Sequence, residues 1–166
     1  MKIVSIFAEN LYAFHYTDER NNEFTRLMEL WTDLNYLRSF AKINVIIDVK
    51  KFVNDILSDA EDIDDFLYHL HENIESFGTY FEPLQLSEYT KVLSFQKGKI
   101  KRNQLRLYAI KIDKNCFVIT GGAIKMSQTM QDHTDTNTEL KKLRAAKVFL
   151  ESKGVFDADS FYEIIL

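Results

Sequence analysis

The chain opens on an apolar run of strand length. Lys2-Ile3-Val4-Ser5-Ile6-Phe7-Ala8 is rich in β-branched residues, and Leu11, Tyr12, Phe14 and Tyr16 prolong the signal, which predicts one or two strands within residues 1–16. The polar cluster Thr17-Asp18-Glu19-Arg20-Asn21-Asn22 ends it. From Phe24 the period changes: Leu27, Met28, Trp31, Leu34, Leu37 and Ala41 recur at three- and four-residue steps and predict one amphipathic helix. A second helix is predicted from about Lys50 to Glu72. Its buried face carries Phe52, Val53, Ile56, Leu57, Ala60, Ile63, Phe66, Leu67 and Leu70, and its solvated face carries Asp55, Asp59, Glu61, Asp62, Asp64 and Asp65. That acidic face lacks the glycine turn and terminal glutamate of a calcium loop, so no metal site is assigned to it.

Gly78 and the only proline, Pro83, mark an irregular connection, with room for a short element in Leu84–Phe95. Gln104–Ile112, the turn Asp113-Lys114-Asn115 and Cys116–Thr120 then read as a β-hairpin. Gly121-Gly122 is expected to end the second strand, with a bulge or a close backbone approach there. Thr136-Asn137-Thr138-Glu139 has capping-box spacing, with Thr136 as N-cap of a helix that buries Leu140, Leu143, Ala146 and Phe149 or Leu150 and ends near Gly154. Asp157–Leu166 reads as a short terminal helix. The length of 166 residues fits a single domain with a sizeable core, and 46% hydrophobic with 13% aromatic residues excludes disorder.

Charge changes this picture in one place. Between Lys91 and Lys125 nine basic residues meet one acid, Asp113, for a formal +8, whereas residues 1–90 carry −10 and residues 126–166 carry −2. A concentrated cationic segment in an acidic chain is the footprint of a site for phosphate, nucleic acid or an acidic partner. No apolar run approaches a membrane span, and Met1–Leu11 lacks the pattern of a secretory signal, so a cytoplasmic protein without a membrane partner is expected. The single cysteine, Cys116, is read as a strand residue: it has no disulfide partner and no companion thiolates for a metal.

Within the basic segment, Lys97, Lys99 and Lys101 fall on one side if the chain is extended, and with Arg102 they can follow a phosphate backbone. Arg106 lies inside a predicted strand with Tyr108 on the same face, where a rigidly held guanidinium can engage a phosphate bidentately. Antiparallel pairing places Arg106 near the level of Gly121–Ala123, beside Lys125, and leaves Lys111 and Lys114 at the turn. His133, in a polar connection, is the histidine best placed for proton transfer. G-x-G-x-x-G, Walker, H-E-x-x-H and G-x-S-x-G motifs do not occur, and no cofactor is expected.

Helices with an acidic exterior, then Q-L-R-L-Y-A-I-K-I, then C-F-V-I-T-G-G-A-I-K-M-S-Q, a polar connection and a charged helix resemble the RelE/HigB-like toxins of bacterial toxin–antitoxin systems, in particular the phage-derived HigB-like branch. The resemblance covers about residues 50–150. Arg106 falls where that branch has its strand arginine, and Lys125 with Ser127-Gln128 falls near its Lys-Thr-Gln segment. It implies an α+β fold, a small twisted, mainly antiparallel sheet flanked by helices, with residues 1–48 as an N-terminal strand-helix extension, 49–153 as the core and 154–166 as a short C-terminal helix. It also implies a metal-independent endoribonuclease acting on mRNA, commonly at the ribosome, with an antitoxin as partner. On this reading Arg106, Lys125 and His133 are catalytic, and Lys97, Lys99, Lys101, Arg102 and Gln128 bind RNA. The alternative is a non-enzymatic interaction module, or a homodimer in which the basic segment meets an acidic surface of a second copy.

Overall fold

A computed structural model gives an α+β fold, with six strands and five helices among the described residues. Residues 74, 89–90, 127–130 and 166 lie outside the described residues, and at Ala8, Leu86 and 131–136 only the backbone is described. The strands are β1 (Lys2–Ile6), β2 (Ala8–His15), β3 (Phe81–Pro83), β4 (Ser94–Gly98), β5 (Leu105–Asp113) and β6 (Cys116–Ile124). The helices are α1 (Glu23–Trp31), α2 (Leu34–Ile43), α3 (Val49–Glu72), α4 (Gln131–Ser152) and α5 (Ala158–Ile165). The sheet order is β1-β2-β6-β5-β4-β3, and every neighbouring pair is antiparallel except β2 with β6.

The apolar stripe from Phe24 to Ala41 is real but belongs to two helices. The Thr32 hydroxyl bonds back to the Met28 carbonyl at 2.7 Å, and Asp33 Oδ1 accepts from the Asn35 and Tyr36 amides, so the chain stops at Trp31 and restarts one residue after Thr32-Asp33. Because the break is so short, Leu27 and Trp31 of α1 and Leu37 and Ala41 of α2 enter the same core. The long second helix forms as its pattern predicts, capped by Asp48, and buries Phe52, Val53, Ile56, Ala60, Ile63, Leu67 and Leu70.

Two apolar layers flank the sheet. Leu105, Leu107, Ala109, Phe117 and Ile119 face α1–α3, and Tyr108, Ile110, Ile112 and Val118 face α4 and α5. Alternation along β5 is regular, but β6 changes phase. Tyr108 pairs with Gly121 and Ala109 with Ile119, so Thr120 is an extra residue, a bulge. Its side chain bonds the Tyr108 carbonyl at 3.2 Å, and its own carbonyl accepts from the Tyr16 hydroxyl at 2.5 Å. Gly121-Gly122 therefore does not end the strand as its composition suggests. The chain passes through the glycines to Ile124, rephased so that Gly121 and Ala123 face α4.

The helix after β6 begins at Gln131, five residues before Thr136, so Thr136 is no N-cap. Freed from a capping role, Glu139 turns onto the sheet, where its carboxylate lies against the strand at Gly121.

Candidate nucleic-acid interface

Strand register brings three cations from three strands to one face. Lys97 of β4 pairs with Tyr108 of β5, Arg106 of β5 pairs with Ala123 of β6, and the Lys125 amide donates to the Gln104 carbonyl at 2.6 Å. Residues opposite one another share a face, so these three side chains stand on the α4 side. There they line one cavity of about 300 Å³, with Leu84, Gln85, Tyr108 and Leu140 as further walls. The bulge sets this placement: without the extra Thr120, Lys125 would project from the other face, toward α1.

Arg106 is fixed by its own backbone. Its Nη1 donates to the Asn103 carbonyl at 2.6 Å and to the Leu105 carbonyl at 2.9 Å. Its Nε is buried with no hydrogen-bond partner among the described residues. Asn103 is anchored in turn: its Nδ2 donates to the Asp59 carbonyl at 2.9 Å, and its Oδ1 accepts from the Leu105 amide at 2.8 Å. Asp59 belongs to the acidic face of α3, yet it is not merely solvated. It accepts from the Gln104 amide at 2.8 Å, which docks the start of β5 on the helix, and burial pushes its carboxyl above the ordinary aspartate value.

Among the described residues none of Lys97, Arg106 and Lys125 forms an ion pair. Burial first, then the nearby Lys99 ammonium, hold Lys97 below the usual lysine range, with Lys125 and Arg106 adding to the effect and Glu82 opposing it. Such a cluster of like charges is relieved by an anion. Lys99 itself reaches Glu82 at 3.7 Å. The expected row of Lys97, Lys99 and Lys101 on one extended edge does not form. Strand β4 ends at Gly98, and the chain turns through Lys101 and Arg102, whose φ is +69°, leaving both side chains exposed. Lys111 and Lys114 stand apart, on a separate opening of about 670 Å³ beside Ser76, Phe81 and Phe117. His133 falls in the first turn of α4 and not in a loop, but its side chain, like all of Gln128, lies outside the described residues.

One cluster escaped the sequence reading. Glu23, only 1% exposed, accepts from Arg26 at 2.6 and 2.9 Å and from Lys142 of α4 at 2.9 Å. Lys142 also approaches Glu139 at 3.6 Å, while Glu139 Oε2 is buried without a partner among the described residues. Burial raises Glu23, but the Arg26 and Lys142 bonds and charges outweigh it and leave the group below the ordinary glutamate value. Burial raises Glu139 as well; Lys142 opposes and Glu23 reinforces, and the group is pushed up to about 7. The glycine pair was the available signal. A Cβ on Gly121 would collide with Glu139 Oε2, and one on Gly122 would stand 2.9 Å from both Leu27 and Trp31, so both neighbours approach the strand because it has no side chain there.

Among the described residues no group of three or more His, Cys, Asp or Glu side chains is placed to hold a metal ion, and no helix is long and apolar enough to cross a membrane. Comparison of the chain with protein-family models, with curated proteins and with solved structures finds no match.

Proposed function

We propose that this protein binds RNA through the cationic cavity on the β4–β5–β6 face, with a backbone phosphate held between Lys97, Arg106 and Lys125. The observation that carries the reading is the convergence of these three cations, which have no ion-pair partner among the described residues, from β4, β5 and the residue after β6 on one cavity. A phosphate there receives a planar guanidinium donor held by backbone carbonyls and two ammonium groups that otherwise repel each other. The acidic outer face of α3 repels a polyanion, which directs it to this side of the sheet.

The toxin-like reading adds cleavage to binding. In metal-independent scission of RNA the ribose 2′-oxygen loses its proton and attacks phosphorus, the bond to the 5′-oxygen breaks, and that oxygen takes up a proton; the products are a 2′,3′-cyclic phosphate and a 5′-hydroxyl. Arg106 and Lys125 are the groups assigned to the charge that builds on the phosphorane-like transition state, and His133 is the residue assigned to proton transfer.

The test is fluorescence anisotropy with a labelled single-stranded RNA at 50 and 200 mM salt. Each phosphate neutralised contributes about −0.7 to the slope of log K against log salt, so the single phosphate held here contributes about −0.7 and any neighbouring phosphate that meets the outlying lysines steepens it. Arg106→Ala is expected to weaken binding at least tenfold at the lower salt and to flatten that slope. Binding that is negligible in both proteins ends the reading and leaves the interaction-module alternative.

A further inference from the structure

Beside the cationic cavity lies a smaller one of about 180 Å³. Its apolar walls include Trp31 of α1 with Tyr36 and Phe40 of α2, and its polar corner is formed by Arg26, Thr138 and Glu139. Both cavities are lined by Ala123 and Ile124, so a single stretch of β6 separates them. Three aromatic side chains around a narrow space suit a flat heteroaromatic ring. The polar corner suits an edge that carries both donors and an acceptor, since a guanidinium only donates and an ionised carboxylate only accepts. Glu23 grips Arg26 through Nε and Nη2 and so fixes the guanidinium against the cluster. Glu139 is 6% exposed and leaves Oε2 without a partner among the described residues, an arrangement that is costly unless a donor arrives.

Resting on the RNA-binding reading above, we infer that this cavity holds the base of the nucleotide whose phosphate occupies the cationic cavity, and that the base is guanine. Guanine alone among the four RNA bases presents two adjacent donors, N1–H and N2–H₂, next to an acceptor, O6. The donors meet Glu139 and O6 meets Arg26. Adenine and cytosine offer one amino group beside an acceptor nitrogen, which a carboxylate repels, and uracil offers one N–H between two carbonyls. Glu139 recognises guanine in its ionised form. Burial raises its titration to about 7, with Glu23 of α1 reinforcing and Lys142 of α4 and Arg26 of α1 opposing; Tyr16 after β2 also faces it. Guanine preference therefore grows as pH rises from 6 to 8.

Calorimetric titration of the full chain with the 5′-monophosphates of guanosine, adenosine, cytidine and uridine, at pH 6 and pH 8, tests this. For the wild type at pH 8, the guanosine compound should bind at least tenfold tighter than the uridine compound, and that ratio should fall several-fold at pH 6. Ionisation of the ligand phosphate cancels in the ratio. Glu139→Gln should abolish the preference for guanosine monophosphate over the other three; Arg106→Ala should weaken all four alike and keep their order. Equal affinities for the four in the wild type, a preference retained by Glu139→Gln, or binding of RNA without binding of any monophosphate overturns the base site and leaves RNA binding standing. Absence of binding to both the monophosphates and RNA overturns the two together. The pH ratio is read on the wild type and holds even if Glu139→Gln fails to fold.

Discussion

The two faces of the sheet are built from the same strands and differ in what closes them. Toward α1–α3 the layer is apolar along most of its length, with Trp31, Leu27, Ile56, Ile63 and Leu67 against Leu105, Leu107 and Ile119, and polar only where Asp59 docks the start of β5 and where Arg26 meets the small cavity. Toward α4 the layer begins the same way, with Leu143, Ala146 and Leu150 over Ile110 and Val118, then turns polar at the end of β5–β6 where Arg106, Lys97 and Glu139 stand. Interiors are close-packed, so an apolar layer has little to offer a ligand and much to lose from a cavity. Among the described residues the polar end leaves a buried carboxylate oxygen and a buried guanidinium nitrogen without partners, which lowers stability and supplies unfilled valences to a ligand. Stability and recognition are thus divided between the faces.

The sharpest way to break this division is to empty the apolar side. Trp31 is 1% exposed and packs against the strand at Gly122. Trp31→Ala should cost about 3–5 kcal/mol in urea unfolding, the usual range for a buried tryptophan. Because its ring also lines the small cavity, guanosine monophosphate affinity should fall with it, while affinity for inorganic phosphate at Arg106 holds in the folded fraction.

The charged side should reveal itself in pH dependence. Glu139 binds its proton more tightly in the folded chain, at about 7, than the ordinary value of 4.5, so the folded state holds the extra proton between these limits. Stability therefore falls as pH rises from 4.5 to 7, by at most about 3 kcal/mol at 1.36 kcal/mol per pKa unit. Glu23 behaves oppositely: its carboxyl is lowered, and its contribution is present above pH 4.5 and lost on further acidification. Urea unfolding from pH 4 to 8 should thus pass through a maximum near pH 5, and Glu139→Gln should flatten the descending limb. A wild-type profile that keeps rising to pH 8 contradicts this account of the cluster.

Period and turn chemistry carried most of this fold in the sequence. The long α3 pattern, the Asp113–Asn115 turn and the pairing of Arg106 with Ala123 follow from local rules, because helix stripes and hairpin registers are set by residues near in sequence. The break at Asp33 was hidden because the stripe continues through it, and a cap is one side-chain choice among many. The glycine pair signalled a bulge or close approach, and the bulge lies one residue earlier, at Thr120; that the strand runs on was hidden, because whether two glycines end a strand or let it pass depends on what lies over them. Glu139 was misplaced for the same reason. Thr136-x-x-Glu139 satisfies a local capping rule, but Glu23 and Lys142 lie far apart in sequence, and only the fold unites them.

Adjacent glycines test the two faces one residue apart. At Gly122 an added Cβ meets the Arg106 carbonyl at 2.6 Å and two core side chains at 2.9 Å, none of which can yield cheaply. Gly122→Ala should cost about 1–3 kcal/mol, as overpacking does. At Gly121 the obstacle is the end of the Glu139 side chain, which can swing away. Gly121→Ala should cost less than Gly122→Ala in urea but should erase the pH-dependent limb assigned to Glu139. Equal stability losses with an unchanged pH profile would mean that Glu139 is not held against Gly121.

The smallest effect is expected where charge is present without convergence. Lys114 is exposed on the hairpin turn, and Lys111 lies beside the 670 Å³ opening, away from Arg106. Each adds to the general field around the protein but none to the phosphate held at Lys97, Arg106 and Lys125. Lys114→Ala should change stability by less than about 0.5 kcal/mol, as surface substitutions do. It should lower RNA affinity less than twofold at 200 mM salt, where the screening length is under about 10 Å. At 50 mM a modest loss is expected from the weaker long-range attraction. The comparison is made within one salt titration: Lys125→Ala should shift the line at every salt concentration, and Lys114→Ala only at its low-salt end. Parallel, equal shifts from both variants would mean that RNA follows the whole basic hairpin and that register has not selected a site.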